Sequence, residues 1–171
     1  MKRIFFKVLI IIAFTFTTTI PSLAQKVGYM NTQTVLAQIP EYAVAQQTLE
    51  KLGNQYKEYL TKESAKVDEA YLKYQSERAR LTESQRIERE DEIVAMERAV
   101  KEKQNEYFGE KGAMATKSEE LMAPIKNKVN EAVKKVASQY RYTLILDISA
   151  IQGVIYKDDN SDLSLEIIKN L

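Results

Sequence analysis

The stretch "KVGYMNTQTVLAQIPEY", Lys26 to Tyr42, decides how the rest of the chain must be arranged. Val27, Tyr29 and Met30 around a permissive Gly28 read as a strand. A strand must pair its backbone N–H and C=O groups, and no second strand follows nearby. From Glu41 to about Tyr140 the sequence is dominated by good helix formers without β-like alternation. The partner must come from the other end of the chain. "YTLILDIS" (Tyr142 to Ser149) is a continuous apolar run of the kind expected for a strand buried on both faces. "GVIYK" (Gly153 to Lys157) reads as a second strand, and "SLEIIKNL" as a closing helix. In that helix Ser164 is the expected N-cap, Glu166 favours the positive helix end, and Leu163 can staple Ile168.

The middle of the chain reads as a helical hairpin. Leu49, Leu52, Tyr56, Leu60, Val67, Tyr71, Tyr74 and Leu81 recur at helical spacing on the way out. Ile93, Met96, Val100, Tyr107, Met114, Leu121, Ile125, Val129, Val133, Val136 and Tyr140 do so on the way back. Between them Thr82 and Gln85 carry the spacing of a capping box, so the chain turns there. Pro40 and Pro124 each lie 42 residues from Thr82 and would stand level at the base of the hairpin. Pro40 suits a first helical turn, whereas Pro124 lies inside a helix. Gly53 falls near the height of Gly109 and Gly112, which marks these three and the two prolines as hinge candidates. Helices of about 41 residues at ~1.5 Å each reach ~60 Å. A hairpin that long cannot bury its whole apolar stripe in one seam, and Tyr59 beside Leu60 and Leu72 beside Tyr71 are expected to face water or a partner.

The first 24 residues are set aside as an export signal. Lys2, Arg3 and Lys7 precede the apolar run Val8 to Phe16, and "SLA" precedes Gln25. The run is short of the ~20 apolar residues of a span. Three of the 25 basic residues and none of the 24 acidic ones lie in that segment, so the remaining 147 of the 171 residues carry a net charge of −2. Such a charge does not favour nucleic acid. There is no Cys or His, hence no disulfide and no Ser-His-Asp or Cys-His set. No enzyme activity, cofactor or metal is expected. Glu90, Asp91 and Glu92 read as a solvated helix face. Asp158, Asn160 and Asp162 imitate a calcium loop, but Leu163 and Lys169 stand where glycine and glutamate are required, so turn and cap roles fit better. Arg78, Arg80, Arg86 and Arg89 alternate with Glu77, Glu83 and Glu88 near the tip. That pattern is usually a solvated face; a tip that touches anionic lipid or an acidic client is the alternative, and net charge does not support contact with a membrane surface.

These readings divide the chain into a signal segment (1–24), a β-containing body (25–40 and 125–171) and a helical-hairpin arm (41–124). The expected fold is mostly α with a small β body, the arm projecting from a small sheet. The body outside the arm has 63 residues. Below ~70–80 residues a core rarely holds without disulfides, metal or oligomerisation, so self-association through the sheet is expected, with Val27, Tyr29, Leu144, Leu146, Val154 and Tyr156 as the strand residues that carry it. Tyrosine and methionine are adaptable contact residues, and Tyr59, Tyr71, Tyr74, Met96, Tyr107, Phe108 and Met114 are the candidates for facing a client protein; packing within the hairpin is the competing role for each.

The two ends carry a resemblance. "VGYMNTQTVLAQIPE", the pair "LILDISA" and "GVIY", and the closing "DLSLEIIKNL" resemble the Skp (OmpH-like) family of periplasmic chaperones. The resemblance implies a homotrimer whose arms surround a cavity, and an ATP-independent holdase for unfolded outer-membrane proteins. Members of that family are strongly basic and this chain is not, so no lipopolysaccharide site is carried over. An exported structural coiled-coil spacer or adhesion protein is the alternative function.

Overall fold

The computed structural model describes residues 25–171, and the expected signal segment lies outside them. Strand β1 (Val27–Met30) leads into the short helix α1 (Thr32–Leu36) and then α2 (Pro40–Glu77). A 3-10 turn (Arg78–Arg80) reverses the chain into α3 (Glu83–Phe108), which is followed by α4 (Ala113–Tyr140), β2 (Leu144–Asp147), a second 3-10 turn (Asp159–Ser161) and α5 (Ser164–Ile168). The two strands pair in parallel, Val27 opposite Leu144 through Met30 opposite Asp147. The ends of the chain therefore meet in one two-stranded sheet, and the helices form the excursion between them.

Local chemistry sets each boundary. Pro40 occupies the first turn of α2, where its missing N–H costs nothing. At the tip, the Thr82 hydroxyl accepts from the Gln85 N–H while the Gln85 side chain accepts from the Thr82 N–H, completing the capping box. Helix α4 continues through Pro124 and stops at Arg141, which adopts a left-handed conformation (φ 58°).

The core lies where α4 crosses the sheet end of the molecule. Ile125, Val129, Ala132 and Val136, spaced along one face of α4, pack with Met30, Val35, Ile39, Ala45, Leu163 and Ile167. Gly28 permits this packing: a Cβ there would stand 2.6 Å from Leu163 Cδ1 and 2.9 Å from the Tyr142 ring. Polar groups join the segments at the sheet end. The Asp147 carboxylate accepts from the Thr32 N–H at 3.1 Å, capping α1, and from the Ser149 N–H and hydroxyl at 3.0 and 2.7 Å.

Three expectations are corrected. Gly153–Lys157, with Val154 and Tyr156, forms no strand: it has no ladder partner among the described residues, a bend at Gln152 precedes it and Gly153 takes a positive φ of 88°. The run Tyr142–Ser149 is not buried on both faces: Ile145 packs on the core, while Leu144 and Leu146 are open on the other side. Ser164 does not cap its own helix. Leu163 holds the N-cap position without a side-chain bond, and the buried Ser164 hydroxyl accepts from the Asn31 N–H at 3.0 Å instead, tying α5 to the end of β1.

Burial alone would raise the Asp147 carboxyl, but the hydrogen bonds from Thr32 and Ser149 outweigh it and hold the group below its ordinary range. A depressed carboxylate stabilises the fold above its unfolded value near ~3.9 and loses that contribution as pH falls through the folded value. Asp147→Asn is expected to lower the thermal midpoint at neutral pH, with the gap to wild type closing below about pH 4; calorimetry across pH checks it. Ile39→Ala, at a fully buried position, is expected to cost about 2–5 kcal/mol in denaturant titration.

Candidate functional site

The seam of the arm alternates between packed nodes and open clefts. Midway along, the ring of Tyr56 stacks on Tyr107 with centroids 4.0 Å apart and planes 3° from parallel. Phe108 meets Tyr56 edge-on at 6.1 Å, and Tyr59 meets Tyr107 edge-on at 5.8 Å. Such pairs add about 0.5–1.5 kcal/mol beyond area burial. A second node lies nearer the tip, where Val67, Tyr74 and Ile93 are buried with Met96, Val100 and Leu81 against them. There the Tyr74 hydroxyl donates to Glu90 across the hairpin. That bond, followed by burial, raises the Tyr74 phenol above its ordinary value.

Between the nodes the helices leave clefts on either side of Val100. One, of about 390 Å³, is lined by Tyr59, Val67, Met96 and Ala99 with Glu63, Glu102 and Glu106 at its rim. The other, of about 710 Å³, is lined by Leu60, Ala65 and Phe108 with Lys57 and Asp68. A third cleft of about 470 Å³ opens at the arm's base between Pro40 and Pro124, floored by Ile39, Val44, Leu121 and Ile125. The prolines are level there, as the spacing from Thr82 predicts. Lys128 reaches across to Glu41 at 3.6 Å. The backbone N–H at the helix start and then Lys128 hold the Glu41 carboxyl below its ordinary range.

The candidate contact residues separate by environment. Tyr59, Tyr71 and Phe108 are 40, 49 and 39 % exposed. Tyr107 is half-buried in the stacked node, Met96 packs against the distal node, and Tyr74 is buried inside it. Met114 is half-buried, and its methyl lies 3.6 Å from where a Cβ on Gly53 would stand. Leu72 is well exposed, as its place beside Tyr71 predicts. Sequence reading missed Ile87 and Val94, both about half-exposed on α3. Val94 sits one position off the apolar stripe, next to buried Ile93, and that offset was the available signal.

Charges along the arm mostly pair within one helix, such as Glu58 with Lys62 at 2.7 Å and Arg89 with Glu92 at 2.8 Å. Exposed pairs of this kind contribute little to stability. Among the described residues no cluster of acidic side chains could hold a metal, and no helix is long and apolar enough to cross a membrane. In the segment that imitates a calcium loop, the Asp158 carboxylate accepts from the Asn160 N–H at 3.0 Å and Asp162 accepts from the Ser164 N–H at 2.9 Å. Both carboxylates serve turns.

The return limb breaks at Gly109–Gly112. Gly109 ends α3 with its N–H on the Asn105 carbonyl at 2.8 Å, and the Gly112 N–H closes on the Gly109 carbonyl at 2.9 Å. A Cβ on Gly109 would collide with the Asn105 carbonyl, and one on Gly112 would stand 2.8 Å from the Glu106 carbonyl. The glycines permit a tight turn that no larger residue fits. Gly109→Ala is expected to open this turn, speeding amide exchange at residues 105–114 by about tenfold while the sheet end of the molecule is unchanged.

Comparison with known proteins places this architecture. The family model described as outer membrane protein (OmpH-like) matches residues 26–171. The chaperone protein Skp of Vibrio cholerae is 27 % identical over 165 residues, covering 94 % of this chain and 92 % of that protein. A crystal structure of an OmpH-like chain from Caulobacter crescentus superposes with a TM-score of 0.62 at 12 % identity, over 90 % of this chain and 88 % of the other, and so shares its fold. With the termini joined in one small sheet and a long helical hairpin between them, the chain belongs to the Skp (OmpH-like) family of periplasmic chaperones.

Proposed function

We propose that this protein is an exported, ATP-independent holdase that shields unfolded outer-membrane proteins between its helical arms, acting as a homotrimer in the periplasm. The observation that carries the reading is the arm itself: a long hairpin whose own seam leaves apolar clefts open and tyrosines half-exposed. An unfolded barrel protein presents alternating apolar strands that would pair edge to edge. Many shallow contacts along an arm hold such a chain without a deep pocket, and they release it without a chemical step. Half-exposed Tyr59, Tyr71 and Phe108 are the side chains best placed to touch a client. Tyr107, Met96, Met114 and buried Tyr74 support them from within the seam.

Assembly of several copies is supported by the sheet. β1 pairs with β2 on one side and bridges Asp162 through Tyr29 on the other, whereas the outer edge of β2 has no ladder partner among the described residues. Val27, Leu144 and Leu146 are exposed beside it, and Ile155 and Tyr156 are more exposed still. An open edge next to an uncovered apolar surface is an aggregation hazard unless a further subunit covers it. The number three and the periplasmic location follow the family. The breaks at Gly109 and Gly112, opposite Gly53, would let the arms splay around larger clients.

The test is light scattering of a denatured outer-membrane barrel protein diluted into buffer. At stoichiometric amounts the protein is expected to suppress aggregation, and the Tyr59→Ser, Tyr71→Ser double variant to do so several-fold less well at unchanged helix content. Suppression by neither would leave the spacer reading standing. Sedimentation is expected to give three times the mass of one subunit.

A further inference from the structure

Charges on a two-helix arm can be neutralised within one helix or across the seam. The base uses the second way, with Lys128 of α4 reaching Glu41 of α2. Between α2 and α3 it is not used: no ion pair joins these two helices among the described residues. Lys66 bonds to Glu63 at 2.6 Å and Lys103 to Glu106 at 2.7 Å, each within its own helix. The balance of charge is therefore uneven along the seam. The cleft of about 390 Å³ receives Glu63 from α2 and both Glu102 and Glu106 from α3, with Lys103 the one cation that lines it. Glu102 has no cationic partner among the described residues. The cleft on the other side of Val100 carries Lys57 and Asp68, which balance.

Carboxylates that converge from two helices repel each other. A seam that served only the hairpin's own stability would set a basic residue opposite them. Here they surround an apolar floor instead. Val67 is buried, Met96 is half-buried, and Tyr59 keeps part of its ring open. Its edge-on contact with Tyr107 at 5.8 Å holds that ring in place. What the cleft lacks is a cation on an apolar stem. Lysine and arginine have that form: their methylenes cover apolar surface while the charged head stays at the wet rim. The face of a tyrosine ring attracts such a head, and a flexible thioether adapts to the stem. The cleft has room for a long side chain and not for a helix.

We propose that this cleft is a subsite for a lysine or arginine side chain of an unfolded client, with Glu63 and Glu102 setting its preference for positive charge. The inference rests on the holdase reading above and names the kind of segment that one side of the arm takes, apolar residues interrupted by basic ones. The opposite cleft, larger and balanced in charge, takes apolar side chains without regard to their neighbours. An acidic segment would bring its carboxylates against Glu102 and be disfavoured. The rim is open to solvent, so the preference is modest and fades as salt is added.

Fluorescence anisotropy with labelled disordered peptides tests this. The peptides share one length and one set of apolar residues, and carry arginine, serine or glutamate at the polar positions. In low salt the wild-type protein is expected to bind the arginine peptide about tenfold more tightly than the glutamate peptide, with the serine peptide between them. Glu63→Gln combined with Glu102→Gln is expected to bring that ratio down to about twofold at unchanged helix content. Glu58→Gln combined with Glu97→Gln removes the same charge from the same two helices outside the cleft. That control pair is expected to keep the ratio within about twofold of wild type. Equal binding of the arginine and glutamate peptides by the wild type, or a ratio that the cleft pair lowers no more than the control pair does, would overturn the subsite and leave the holdase reading standing. Binding of none of the peptides would overturn both.

Discussion

The pairing of Val27–Met30 with Leu144–Asp147 is the constraint from which the other features follow. A parallel ladder between the two ends of a chain requires a crossover, and here the crossover is the whole helical hairpin. Joining such distant segments costs loop-closure entropy, but that cost grows only slowly with length. The hairpin reduces it further, because α2 and α4 already bring their ends together at Pro40 and Pro124. Core packing then secures the ladder: the Ile125, Val129, Ala132 and Val136 face of α4 lies on Val35, Ile39 and Ile167. The sheet and the base of the arm are therefore one cooperative unit.

Away from that unit the arm is held by two nodes and little else. The stacked tyrosines and the Val67–Tyr74–Ile93 cluster fix the pairing of α2 with α3. Open clefts lie between them on either side of Val100. A fully packed seam would make a stiffer rod with less apolar surface to offer. The same composition that weakens the hairpin leaves Tyr59 and Phe108 partly free, so stability and capacity for contact oppose each other at these positions.

The body shows a related compromise. Its inner face is well packed, with Val35, Val136 and Ile167 fully buried, while Val27, Leu144 and Leu146 stay open, as do Ile155 and Tyr156. Tyr29 links the two conditions. Its backbone takes part in the ladder and in the bridge to Asp162, and its ring and hydroxyl anchor Lys157 on the outward side.

Helix content, the turn at Thr82, the level prolines and the meeting of the termini were all legible in the residues, because each rests on local chemistry or on an apolar period that any packing must respect. The capping box and the first-turn proline are properties of a few neighbouring residues. The one strand that could not be placed correctly, Gly153–Lys157, has a strand's composition, but a strand exists only through a ladder partner, which the single chain does not supply. The Ser164 hydroxyl was misassigned for a similar reason: a hydroxyl at a helix start bonds whichever N–H tertiary packing brings nearest, and here that is Asn31. Which tyrosines are buried and which are free was likewise undecidable from spacing, since Tyr71 and Tyr74 share a stripe and only the crossing of α2 with α3 puts Tyr74 inside. Sequence alone determined the elements and their order; the tertiary structure decided the exposed faces, because exposure depends on what the rest of the chain brings to each surface.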